Sequence, residues 1–413
     1  MSLIKKYNLK RPIKNTPKSF LKKLGPGIIT AALVFGPGSL TINTKLGANY
    51  SYSLLWVILL SMVLMTAFTN MSTKIGLYSR DSFISRIKNE FGHRTALLVG
   101  VGIFLTTASF QAGNTVGASL AFSELFSTPM LVWIIIFTFL AIFLLYFKSF
   151  YKILEKLMIG LVILMLTSFL LTIIMVAPNI QEILLGIIPS IPKGSEYFII
   201  TLTASSFSIV GAFYQSYLTQ EKGVDIADKQ DSLRESRTGI IILGLLSTLV
   251  MICASSVLKN NNIDVLSASD LGMALEPLFG PFTSYAFMIG FFAASFSSMI
   301  GNATIGGVIL ADTLFGISNL REWKVRSMII VVILIGAIIA HVFGQLPLEL
   351  IIFAQGITIM IVPMIAVIIV IFSNGKRISE ELKNNSFTTA LGIIGITILI
   401  LMSFYSIYFL FFK

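Results

Sequence analysis

The chain has 413 residues, 55% of them hydrophobic and 12% charged, and its 30 Lys and Arg against 19 Asp and Glu leave a formal net charge of +11. Apolar runs of about 20 residues recur from one end to the other, long enough to cross a hydrocarbon core of roughly 30 Å as helix, whereas a barrel would show alternating segments of about ten residues. Each span must satisfy its own backbone polar groups in lipid, so the composition excludes a β-barrel and gives an all-α polytopic membrane protein.

In chain order, residues 1–24 form a basic tail holding Lys5, Lys6, Lys10, Arg11, Lys14, Lys18, Lys22 and Lys23 with no acid among them. Beside a membrane such a tail binds the lipid bilayer surface, which accounts for most of the net charge without a nucleic-acid partner. The tail is too long and polar for a signal peptide, and the first apolar run lacks a small-residue cleavage site, so the first span is expected to stay in the mature protein. Eleven spans follow, near 26–48, 51–72, 96–123, 129–147, 154–177, 197–219, 238–258, 278–311, 326–343, 347–373 and 388–411. With the amino terminus in the cytoplasm and the carboxyl terminus external, all but four of the 30 basic residues (Lys45, Lys193, Lys259 and Lys413) fall in cytoplasmic segments, as positive-inside asymmetry requires. Between the second and third spans, residues 74–92 carry apolar side chains at helical spacing and are expected as an amphipathic helix on the bilayer.

Two spans are interrupted near mid-depth. The first breaks at Gly36, Pro37 and Gly38, where proline removes a backbone donor; the sixth breaks in ASSFSIVGAFYQS, where Ser205, Ser206, Ser208 and Gly211 dilute the apolar pattern. They are five spans apart. Corresponding breaks in two five-span halves mark an inverted-repeat transporter whose substrate lies between the broken helices. The expected organisation is the tail 1–24, a first five-helix repeat 25–177, a second 178–373, and a connector with the eleventh helix over 374–413.

No cofactor and no enzyme activity are expected. Cys253 is the sole cysteine, His93 and His341 lie far apart, and no Gly-rich loop of the G-x-x-x-x-G-K-[ST] kind occurs. No drawn span places Asp or Glu near mid-depth.

The stretch GPGSLTINTKLGANYSYSLLW (36–56) resembles the NRAMP metal-ion transporters, in which Asp-Pro-Gly-Asn is followed by Gly-Ala and an aromatic-Leu-Leu-Trp entry to the second span. Pro37, Gly38, Gly47, Ala48 and Leu54-Leu55-Trp56 match, as do GFFAASFSSMIGNATIGGVILAD (290–312) and AQGITIMIVP (354–363), the latter with Gln355 at a family glutamine. The resemblance implies a leucine-transporter-like inverted 5+5 repeat with discontinuous first and sixth helices. It also implies where this chain departs from that family. Gly36 and Ser39 replace the motif's aspartate and asparagine, Ser208-Ile209-Val210 replaces its Met-Pro-His, and Asn114 stands where the family often keeps a glutamate thought to assist proton movement.

These losses change the expected cargo. A partly dehydrated divalent cation wants oxygen ligands that include a carboxylate, and Mn²⁺ selectivity gains from softer donors. A half-helix N-terminus exposed at Gly36–Gly38 and the hydroxyls of Ser39, Thr41, Ser205, Ser206 and Ser208 suit an anion instead. Lys45, with Asn43 and Asn114, is expected to line the access route and make it positive. The chain therefore reads as a secondary transporter of a small anion (bicarbonate-like) or zwitterion, with H⁺ or Na⁺ as coupling ion and no metal site. The alternatives are a Mg²⁺ or Mn²⁺ transporter with altered ligands, and a non-transporting membrane sensor.

Overall fold

The computed structural model describes residues 35–79, 81–146, 148–223, 226–259, 265–344, 347–375 and 378–412. The basic tail and the first part of the first expected span lie outside them. Helix occupies every other expected span: α1 Pro37–Tyr50, α2 Leu55–Tyr78, α3 Phe83–Phe126, α4 Met130–Leu144, α5 Lys148–Val176, α6 Glu196–Ser206, α7 Ile209–Glu221, α8 Lys229–Ala254, α9 Thr283–Phe315, α10 Trp323–Phe343, α11 Pro347–Thr358, α12 Val362–Ser373 and α13 Ser386–Phe412. Among the described residues seven helical runs are long and apolar enough to cross a membrane, and the bent pair α11–α12 makes an eighth.

The breaks are narrower than the sequence implies. Gly36 is extended (φ −108°, ψ −172°) and caps α1, but Pro37 and Gly38 already belong to its first turn, because proline's fixed φ and missing N–H suit that position. In the sixth span only Phe207 (ψ 70°) and Ser208 (ψ 87°) leave the helix. Ser205 and Ser206 end α6, and Gly211 lies within α7, its N–H donating to Ser208 Oγ at 3.2 Å.

A third break was not anticipated. The tenth span bends by 42° between α11 and α12. Pro363 cannot donate to the Ile359 carbonyl, and the chain crosses the gap on i→i−3 bonds: Ile359 N–H to Gly356 O at 3.3 Å and Ile361 N–H to Thr358 O at 3.1 Å.

Residues 74–92 are not one bilayer-lying helix. Lys74–Tyr78 finish α2, Ser82 caps α3, and Gly92 (φ 84°) turns the chain between a short first segment of α3 and its long membrane-crossing part. Phe83 in that first segment stacks on Phe213 of α7 (centroids 4.4 Å apart) and meets Phe372 of α12 edge-on at 5.2 Å, so its apolar face covers protein.

The bundle is built around α3 and α9, which pack along each other. Small residues permit close approach where no hydrophobic drive separates helix from lipid. A methyl group added at Gly307 of α9 would sit 2.5 Å from the Ile329 Cα of α10, and one at Gly47 of α1 would sit 2.5 Å from the Met251 carbonyl of α8.

Candidate functional site

The ends of α1, α6 and α7 meet α3, α9 and α11 around a narrow cavity of roughly 450 Å³ of empty space. Gly36 and Ser39 come from α1 and its cap, Asn114 and Phe110 from α3, Ala204 and Ser205 from α6, Ser208 and Gly211 from the α7 start. Ser298, Asn302 and Ile305 come from α9, and Gln355 from α11. A smaller cavity shares Phe110, Ala204 and Ser208 and runs on to Thr358 and Val362, so the breaks of the sixth and tenth spans border one passage.

Seven of the expected site residues are thus brought together: Gly36, Ser39, Ser205, Ser208, Gly211, Gln355 and Asn114, the last in the cavity wall rather than along an access route. Gly38 supports the site from behind, since any Cβ there would collide with the Gln355 carboxamide. Pro37 packs instead against Gly117 of α3. Thr41 and Ser206 are buried away from the cavity. Asn43 is fully buried, donates Nδ2–H to the Ser39 carbonyl at 2.7 Å, and lines neither cavity.

Ser298 and Asn302 were missed. They lie one turn apart on α9, and Asn302 Nδ2 donates to Ser298 O at 3.2 Å and Oγ at 3.1 Å. Two polar residues at i, i+4 in an apolar span were the available signal. Ser298 also explains Gly36: a methyl group added at Gly36 would sit 2.8 Å from Ser298 Oγ and 3.0 Å from Asn114 Oδ1. The space that a carboxylate at position 36 would enter is occupied by two neutral side chains.

Uncharged donors and acceptors dominate the walls. Ser205 Oγ donates to Leu202 O at 3.0 Å, while Asn114 Nδ2 is buried without a hydrogen-bond partner among the described residues. Two helix N-termini, those of α1 and α7, and one C-terminus, that of α6, face the cavity, so partial charges of both signs reach it. Ile209 and Val210, at the family's Pro-His positions, are buried in the apolar core. Among the described residues no group of three or more His, Cys, Asp and Glu is placed to hold a metal ion.

Two charges stand differently from the expectation. Lys45 has a carboxylate partner on another span: its Nζ lies 3.7 Å from Glu349 Oε1 at the start of α11, with side-chain exposures of 15% and 55%. Asp312, just past the expected end of the eighth span, is inside α9 and buried, accepting the Tyr217 hydroxyl at 2.6 Å. Tyr217 oxygen in turn accepts the Ile84 N–H at 3.3 Å, which ties α7, α9 and the first segment of α3 together.

The natural resistance-associated macrophage protein-like family matches residues 27–409 of the chain. A divalent metal cation transporter MntH of Levilactobacillus brevis is 24% identical over 94% of this chain and 89% of its own length. One of Clostridium acetobutylicum is 28% identical over 95% and 91%. Among solved structures, the Eremococcus coleocola manganese transporter aligns over 93% of this chain and 86% of its own, with a TM-score of 0.78 at 21% identity. A nucleobase-cation-symport-1 family transporter in a closed conformation aligns over 94% and 90%, with a TM-score of 0.66 at 11% identity, which places the fold among inverted-repeat transporters.

Proposed function

We propose that this chain, which belongs to the natural resistance-associated macrophage protein-like family, is a secondary transporter carrying a divalent cation through the cavity between its broken helices by alternating access. The observation that carries the reading is the donor set: the oxygens of Ser39, Asn114, Ser205, Ser208, Ser298, Asn302 and Gln355, all hard and all neutral. Such a wall cannot offset the charge of a stripped dication. It can accept hydrogen bonds from the waters of one that keeps its whole shell, as Mg²⁺, which dehydrates reluctantly, is suited to do. With no sulfur or imidazole in the wall, Mn²⁺ gains little over Mg²⁺.

The relatives support the cation class and move it ahead of the anion or zwitterion expected from the sequence. That second reading keeps one observation in its favour: the unpartnered Asn114 Nδ2 beside two helix N-termini offers donors to a negative group. In either case the repeats run over 25–177 and 178–373, the amino terminus is cytoplasmic, and H⁺ or Na⁺ supplies the driving gradient.

Uptake into proteoliposomes of Mg²⁺, Mn²⁺, bicarbonate and a zwitterionic amino acid, each with and without pH and Na⁺ gradients, tests the proposal. Saturable uptake of both metals with comparable affinity is expected. Bicarbonate or amino-acid uptake without metal flux would replace it by the second reading, and no flux of any solute would leave the sensor.

A further inference from the structure

Sharing no lining residue with the substrate cavity, a second cavity of about 580 Å³ of empty space opens between α2, the start of α8 and the connector into α13. Its wall holds Lys74, Lys229, Arg237 and Lys383, with the amides of Asn70 and Asn385 between them, and among the described residues no carboxylate lines it. Four cations from three chain segments converge on one concave surface.

Three of these cations, Lys74, Lys229 and Arg237, are held in place by neutral groups. Lys74 is only 8% exposed, and its Nζ donates to the Lys383 carbonyl at 3.2 Å and to Asn384 Oδ1 at 2.8 Å. Lys229 Nζ donates to the Glu381 carbonyl, and Arg237 Nε reaches Asn70 Oδ1 at 3.4 Å. Lys229 and Arg237 are close enough for their like charge to act on the Lys74 ammonium. Two nearby acids turn elsewhere, Asp231 toward Arg234 at 3.9 Å and Glu235 to Lys222 at 2.7 Å, while Glu380 pairs with Lys383 of the wall, so the excess positive charge rests on Lys74, Lys229 and Arg237. Like charges gathered this way repel one another, and an entering anion relieves that repulsion.

We propose that this cavity binds a phosphate-type oxyanion, carried on the headgroup of an anionic lipid or as a free phosphate. The Arg237 guanidinium supplies a planar fork for two phosphate oxygens, Lys229 a mobile point charge, and the buried Lys74 a fixed positive floor. Its occupancy would join the connector before α13 to α2 and α8, three segments whose polar contacts lining the cavity are a few hydrogen bonds to carbonyls and amides.

The full chain in nanodiscs separates the sources. In phosphatidylcholine discs, inorganic phosphate is titrated calorimetrically; in a second arm, native mass spectrometry counts phosphatidylglycerol retained from mixed discs. Saturable binding is expected in one arm, weakened at least tenfold in the double variant Lys229→Gln/Arg237→Gln and retained in Lys229→Arg. Asn385→Asp, at an exposed wall position, should also expel the anion and serves if the double variant does not fold. Binding in neither arm, or binding that survives both the double variant and Asn385→Asp, overturns the proposal.

Discussion

The Lys45–Glu349 pair offers a reading of the cargo's charge. Lys45 is six residues beyond Ser39 on α1, and Glu349 six residues before Gln355 on α11, so each lies about 9 Å along its helix from the cavity at 1.5 Å per residue. The pair is half-exposed on its acidic side and contributes only ~0–1 kcal/mol to stability, so either partner can be neutralised without unfolding the protein. Glu349→Gln leaves an uncompensated positive charge. At an effective dielectric near 20 and about 9 Å, that charge raises the energy of a divalent cation by ~4 kcal/mol, and screening with a Debye length of about 8 Å leaves ~1 kcal/mol, or about five- to tenfold in affinity. Apparent affinity for Mg²⁺ and Mn²⁺ should therefore fall by that factor in Glu349→Gln, rise similarly in Lys45→Gln, and return to the parent value in the double variant. A monovalent anion demands the opposite signs at about half the energy. Uptake by the four proteins at equal membrane abundance decides it. Identical affinities in all four would show that the pair lies off the route, and a double variant worse than either single one would show damage to structure rather than an effect of charge.

Two further outcomes are expected from side chains already described. Gly36→Asp combined with Ser298→Ala should bring a carboxylate into the cavity with the crowding at 2.8 Å relieved, and should raise Mn²⁺-dependent thermal stabilisation well above the parent's; no gain would mean that position 36 does not face the cargo. Tyr217→Phe removes the 2.6 Å hydrogen bond to the buried Asp312 and should cost ~1–3 kcal/mol, read as a lower unfolding midpoint in detergent, whereas an unchanged midpoint would mean that water replaces the hydroxyl.

Helix count, the two mid-membrane breaks and much of the cavity wall were legible because each leaves a local mark. Hydropathy runs mark spans, and a Gly-Pro-Gly or a serine-rich window marks a helix end. What the sequence hid was non-local. Glu349 is 304 residues from Lys45, and nothing in either span announces that the two side chains meet. Asn43 reads as a vestibule residue by its polarity, yet it is fully buried and its Nδ2–H is donated to the Ser39 carbonyl one turn away, a use that only its orientation reveals. Pro363 stands at the break in the tenth span, but in a run as apolar as ITIMIVPMIAVIIV one proline is also compatible with a kinked continuous span.

Gly36, Ser298 and Asn114 interlock, and that interlock bears on which side chain position 36 can hold. A carboxylate placed at position 36 alone is crowded, because a Cβ there lies 2.8 Å from the Ser298 hydroxyl and 3.0 Å from the Asn114 amide oxygen. Under the cargo proposed above, a wall without a carboxylate lacks the counter-charge that a stripped dication requires, so its oxygens would serve best by holding water that the ion brings with it. The scaffold's helix ends then matter more than in a charged site: the α6 carbonyl end and the α1 and α7 amide ends are fixed dipoles that no substitution of a side chain removes. A cargo that keeps its shell meets these dipoles through oriented water, and discrimination between ions then follows hydration and size more than ligand softness.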